Sequence, residues 1–264
     1  MARPHTPARP ALRKRLLTAA FAALAAAVPL SAVAQERLAE PQANIVVFES
    51  GPVLGTLLLP VGRPPSGVVV MLNDSLGPDP RSALYKDQLL GAGIAVLDVM
   101  REAPDTPSLA SAIAALAADP RVATDQIGVM GFGRGARQAL PVETGILAHA
   151  LLYPGCDGLE DLADSEARGP LLLLHGAADE ANGRDRCAAA AAAMGRNGRP
   201  VRHVTYADAG YAWDHPVYGL ERRIVLPRPD GLGRIVTAPW PELATMSATQ
   251  VTGFFASVFT PRAQ

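Results

Sequence analysis

The sequence predicts a three-layer α/β protein, a mostly parallel sheet with helices on both faces. Three observations predict it. Short continuous apolar runs recur along the chain, Gly67 to Leu72 being one, and such runs suit strands covered on both faces. Helical patterns separate these runs, as alternating strands and crossover helices require. A glycine turn, Gly131-Phe132-Gly133-Arg134-Gly135, joins one of the strands to the helix that follows it.

Taken in order, residues 44–48 and 54–60 read as two short strands around a Gly/Pro turn, and 67–72 as a buried strand. A helix over about 81–91 leads to the strand Ile94 to Val99. Ser108 to Ala117 reads as a helix with Ser108 or a neighbour as its N-cap. The strand Ile127 to Met130, the glycine turn and a short helix come next, then strands over 147–153 and 171–175. An Ala-rich helix over 185–195 is closed by Gly195 and Gly198, and a strand over 201–206 follows. Residues 222–237 pattern as a hairpin around Pro229-Asp230-Gly231, and Ala244 to Val258 as an amphipathic helix.

The first 34 residues predict export. A basic stretch ending at Arg15 precedes the apolar run Leu16 to Val28 and then Ala32-Val33-Ala34, the layout of a signal peptide cleaved before Gln35. The run is too short for a spanning helix, so no membrane span is expected after cleavage. The expected location is periplasmic or secreted, with residues 35–264 forming a single domain. This leader carries five basic residues and no acid. Nineteen basic and 25 acidic residues remain, a balance that argues against a nucleic-acid partner.

Two cysteines are too few for a disulfide scaffold, but an oxidising compartment favours joining Cys156 to Cys187 over two independent thiols. If the strands over 147–153 and 171–175 are neighbours, both cysteines lie near one sheet edge, within bridging reach. The five histidines show no metal-ligand spacing, and no metal or cofactor is implied.

The glycine turn admits two readings. As Gly131-x-Gly133-x-x-Ala136 it fits a dinucleotide fingerprint, but the following strand ends Leu152-Tyr153-Pro154 without the acid that would hold a ribose. As Gly131-x-Gly133-x-Gly135 it fits a nucleophile elbow, whose tight turn needs small residues on either side of the nucleophile. With it come Leu72-Asn73-Asp74-Ser75-Leu76-Gly77 followed by Arg81, then His175-Gly176-Ala177-Ala178-Asp179, and Tyr206 to Trp213. In these segments the chain resembles the dienelactone hydrolase family of the α/β-hydrolase fold, over most of residues 44–260. Tyr153-Pro154-Gly155-Cys156 and Cys187 resemble exported members.

The resemblance implies an ester hydrolase with Gly133 at the nucleophile position, Asp179 at the acid position and Tyr211 at the histidine position. It places Asn73, Asp74, Ser75 and Leu76 on the loop supplying an oxyanion amide, with Arg134, Trp213 and His215 around the pocket. Glycine forms no acyl intermediate, and a phenol with a pKa near 10 is a poor proton acceptor. Two functions fit: a non-catalytic relative binding a small ligand, an ester or carboxylate, or an ester hydrolase using displaced groups such as Ser75 and His215. Gly133 and Tyr211 favour the first.

Overall fold

The computed structural model describes residues 43–74, 79–100, 106–122, 125–163, 168–217 and 223–259. Residues 1–42, the expected leader among them, and Ser75 and Leu76 lie outside them. Strands β1 (Ala43–Ser50) and β2 (Val53–Pro60) form an antiparallel hairpin, with Ala43 opposite Pro60. The remaining strands of the main sheet are β3 (Val68–Leu72), β4 (Ala95–Val99), β5 (Ile127–Phe132), β6 (Ala148–Leu152), β7 (Leu171–Gly176) and β8 (Val201–Tyr206). Their order is β1-β2-β4-β3-β5-β6-β7-β8; β2 pairs antiparallel with β4, and β4 through β8 run parallel.

Side-chain alternation divides the core into two layers. Val68, Val70 and Leu72 of β3 pack on one face, against α2 (Thr106–Ala117), α3 (Arg134–Ala139) and α4 (Arg184–Gly195). Val69 and Met71 pack on the other, against α1 (Ser82–Gly91) and α5 (Pro241–Val258). The three-layer α/β expectation is met. Helix α2 starts before Ser108, which sits inside the first turn and is no N-cap. Helix α5 starts at Pro241, where the missing N–H costs nothing. A short 3₁₀ turn at Glu160–Leu162 and the separate hairpin of β9 (Ile224–Pro227) with β10 (Arg234–Thr237) complete the elements.

This topology places the site. From β3 the chain crosses first to β4 on one side and then to β5 on the other, so β3 and β5 flank a switch point where the loops at their carboxyl ends diverge. Asn73 and Asp74 leave β3 there, and Gly133 leaves β5.

Cys156 follows β6 and bonds Cys187 of α4, with Cα atoms 5.0 Å apart. The bridge closes a 31-residue separation, for which the chain-entropy estimate is about 3–4 kcal/mol. Cys156→Ser with Cys187→Ser is therefore expected to lose stability of that order in urea unfolding. An unchanged midpoint would remove the bridge from the stability of the native state.

Candidate functional site

Strand β5 ends at Phe132 and α3 begins at Arg134, so Gly133 alone makes the strand-to-helix turn. It does so at φ 50° and ψ −114°, a conformation costly for any residue with a β-carbon. Two residues on, a β-carbon at Gly135 would collide with the Leu72 and Asn73 carbonyl oxygens. Only glycine lets α3 approach the end of β3 this closely.

The space in front of Gly133 is filled by Asp74. A β-carbon at 133 would lie within 2.5 Å of Asp74 Cγ and would overlap Tyr211 Oη. Asp74 Oδ1 accepts the Arg134 backbone N–H at 2.8 Å, the amide directly after the turn. Its Oδ2 accepts the Tyr211 hydroxyl at 2.5 Å and Arg81 Nη2 at 3.0 Å. The Asp74 side chain is only 5% exposed. Three donors from three segments thus converge on one buried carboxylate, and the first amide of a helix is a natural anion donor.

Arg81 is held by a second carboxylate. Its Nε donates to both oxygens of Asp79, at 2.9 and 3.0 Å, and its guanidinium lies over the Phe132 and Tyr153 rings. Burial opposes the Arg81 charge, but Tyr153, Asp79 and Asp74 outweigh it and raise its pKa. Burial likewise pushes the Asp79 carboxyl up; Arg81 overcomes this and holds it below the usual carboxylate range. Deeper still, Asp214 accepts hydroxyls from Tyr85 and Tyr153, each at 2.7 Å, and burial raises its pKa. Tyr85, Asp79, Tyr153, Asp214 and the role of Arg81 were not foreseen from the sequence.

Tyr211 is fully buried, and burial pushes its phenol well above its ordinary pKa, with Asp74 adding to the rise. It acts as a hydrogen-bond donor here, not as a base. Asp179 is not hydrogen-bonded to it. The carboxylate instead accepts Ala181 N–H at 2.8 Å and Asn182 Nδ2 at 2.9 Å, within its own turn. Asn182 is anchored in turn, its Oδ1 accepting Gly155 N–H beside the disulfide.

The other predicted residues spread out from this centre. Asn73 turns toward β4, donating to Asp98 Oδ1 at 2.8 Å. Trp213 is core: it is fully buried, donates to Ser247 Oγ at 3.2 Å and meets the Tyr153 ring edge-on. The Arg134 side chain is exposed, and its amide joins the site. His215 is half-buried, with Nδ1 3.1 Å from the Pro216 carbonyl, and its charge would help keep Asp79 low. His149 is buried between Arg199 and the Val142 carbonyl, and desolvation lowers its pKa to about 3. His175 and His203 face each other through Nε2 atoms 2.8 Å apart. Among the described residues, no three His, Cys, Asp or Glu side chains are grouped to hold a metal ion, and no helix is long and apolar enough to cross a membrane.

Burial raises the Asp179 pKa to about 6. The folded state therefore takes up this proton before the unfolded chain does. Above that pH the ionised group subtracts from stability, by about 3 kcal/mol, and the cost fades as pH falls from about 6 toward 4. Asp179→Asn keeps an acceptor for Ala181 N–H and removes the charge. It is expected to raise stability by about 1–2 kcal/mol at pH 7.5, with the gain gone near pH 4. His175, whose pKa desolvation lowers to about 4, destabilises both proteins equally as pH falls, so the difference in urea midpoints isolates Asp179. A loss of stability at pH 7.5 would show the carboxylate to be favourable where it stands.

Residues 98–218 match the profile of the dienelactone hydrolase family. No curated protein sequence matches the chain. Among solved structures it is similar to a dienelactone hydrolase from Anabaena variabilis, at 18% identity and TM-score 0.60, over 83% of this chain and 100% of that one. It is also similar to the esterase domain of a Rhodothermus marinus protein, at 16% identity and TM-score 0.60, over 83% and 100%. A dienelactone hydrolase-like promiscuous phosphotriesterase from metagenomic libraries aligns at 18% identity and TM-score 0.59, over 83% and 98%. At these identities the likeness establishes the shared α/β-hydrolase fold.

Proposed function

Taking as premise that this chain is a dienelactone hydrolase-like α/β-hydrolase, we propose that it cleaves no esters and that its elbow is an anion site whose resident anion is Asp74. The observation that carries this reading is the Asp74 carboxylate on the Arg134 amide. In an acyl-transfer enzyme that amide would face the oxyanion formed in the transition state, and its strength comes from being free to do so. Here it is already paired. The group beside it is Gly133, with no nucleophile, and Tyr211 donates a proton where a base would have to accept one. Members of a catalytic unit act together, so losing either the nucleophile or the base alone costs about as much as losing the whole relay.

A small carboxylate that entered this pocket would compete with Asp74 for the Arg134 amide, Arg81 and Tyr211. The protein is then a non-catalytic relative, able at most to exchange one carboxylate for another. We place it outside the cytoplasm, processed before Gln35 with residues 35–264 as its single domain; N-terminal sequencing of the exported protein tests this.

The purified protein is expected to show no p-nitrophenyl acetate turnover above that of Tyr211→Phe, and no labelling by a fluorophosphonate. Turnover abolished by Ser75→Ala or His215→Ala would replace this reading with a displaced catalytic site.

A further inference from the structure

The β9–β10 hairpin carries more apolar surface than its two strands need. Its inner face is accounted for: Ile235 is buried in the core, and Thr237 Oγ1 donates to the Tyr211 and Ala212 carbonyls. Register fixes what the outer face holds. Val225 pairs directly with Val236, and Pro227 with Arg234, so alternation puts Arg223, Val225, Pro227, Arg234, Val236 and Ala238 on the side turned away from the core. All six are exposed, Val225 by 49% and Val236 by 57%. At the tip Leu232 is 79% exposed, and a β-carbon added at Gly231 or Gly233 beside it would touch nothing. Leu232 therefore projects into open space, while Pro229 on the other side of the turn is buried close to Gly155 and anchors it.

Charge decides what this face suits. The outer positions carry two arginines and no acid, although the mature chain as a whole is acidic. The hairpin's one carboxylate, Asp230, is paired with Arg228 at the turn. A second copy apposed on this face would bring arginines against arginines, which is unfavourable. A free-standing leucine tip flanked by valines and arginines matches a surface that is apolar beneath a layer of negative charge.

We propose that the outer face of the β9–β10 hairpin is a docking surface for an anionic lipid bilayer, with Leu232 entering the interface and Arg223 and Arg234 meeting the headgroups. The protein lies on the membrane and does not span it. Because the hairpin's inner face hydrogen-bonds the Tyr211 backbone, docking sets the Gly133 site close to the lipid surface.

Vesicle co-sedimentation of the full protein tests this, using phosphatidylglycerol-rich vesicles beside pure phosphatidylcholine. Binding is expected to the anionic vesicles and to weaken with added salt. Leu232→Asp, in an open turn, is expected to raise the half-saturating lipid concentration at least tenfold at unchanged melting temperature. Arg223→Gln and Arg234→Gln should each raise it roughly fivefold. Every variant is compared in the same chain, so a contribution from the basic leader cancels. Absence of binding to anionic vesicles at millimolar lipid would overturn the proposal, as would binding indifferent to all three substitutions. Self-association without lipid that Leu232→Asp abolishes would also overturn it, assigning the face to a second copy.

Discussion

Gly133→Ser is expected to lower stability by about 3–5 kcal/mol and to bring no esterase activity. The cost has two sources of similar size: a side chain held at φ 50° and overpacking against Asp74 and Tyr211, each about 1–3 kcal/mol. Tyr211 cannot swing aside cheaply, because it is fully buried and its ring packs edge-on against Tyr153. Adding Tyr211→His shortens the opposing side chain and supplies a base, yet Asp74 still covers the Arg134 amide. Activity should therefore wait for a third change, Asp74→Ala. The triple variant is expected to exceed the double by about 10²–10³-fold in p-nitrophenyl acetate turnover, the usual worth of one oxyanion donor. Urea unfolding of each variant comes first, since an unfolded protein tests nothing. Wild-type stability in Gly133→Ser would mean that Asp74 and Tyr211 do not lock the turn.

Strands β3 through β7 are legible because each is a short, mainly apolar run, broken at most by a single Asp98, His149 or His175, and burial on both faces suits such a run. The hairpin over 224–237 is legible from Pro229-Asp230-Gly231. The Glu160–Leu162 turn is not, since three residues carry no period. Helix α5 begins at Pro241, three residues before the apolar periodicity places it, because its first turn is set by a proline and not by the buried face. In the site, Gly133 and Tyr211 are visible as departures from a pattern, but what fills the gap is not. Asp74 is a loop aspartate like any other until the fold sets it against Arg134, 60 residues on. Tyr85 and Asp214, separated by 129 residues, offer no local signal at all. One clue was available: deleting a side chain at 133 while lengthening one at 211 leaves a buried space of altered shape and polarity. The nearby segment supplied a carboxylate, Asp74, and a cation, Arg81, with which to close it.

Asp74→Ala is expected to be the most damaging single change among these polar residues, at about 3–5 kcal/mol, because it leaves buried donors without their acceptor. Arg81 would keep Asp79, but Tyr211 Oη and the Arg134 amide would lose the carboxylate they now share. Asp74→Asn should cost less, since a carbonyl oxygen can still accept the Arg134 N–H. The vacated space is shaped for a carboxylate and lined by its donors, so formate or acetate should refill it. With formate at 100 times its dissociation constant, mass action returns about 2.7 kcal/mol to Asp74→Ala. Chloride at equal ionic strength should not, and wild type should gain nothing because its own carboxylate is in place. The measurement is the urea midpoint against formate concentration for the three proteins. Equal response in wild type and Asp74→Ala would make the effect a general one of the salt. Rescue confined to the alanine variant would identify Asp74 as the ligand this elbow carries within its own chain.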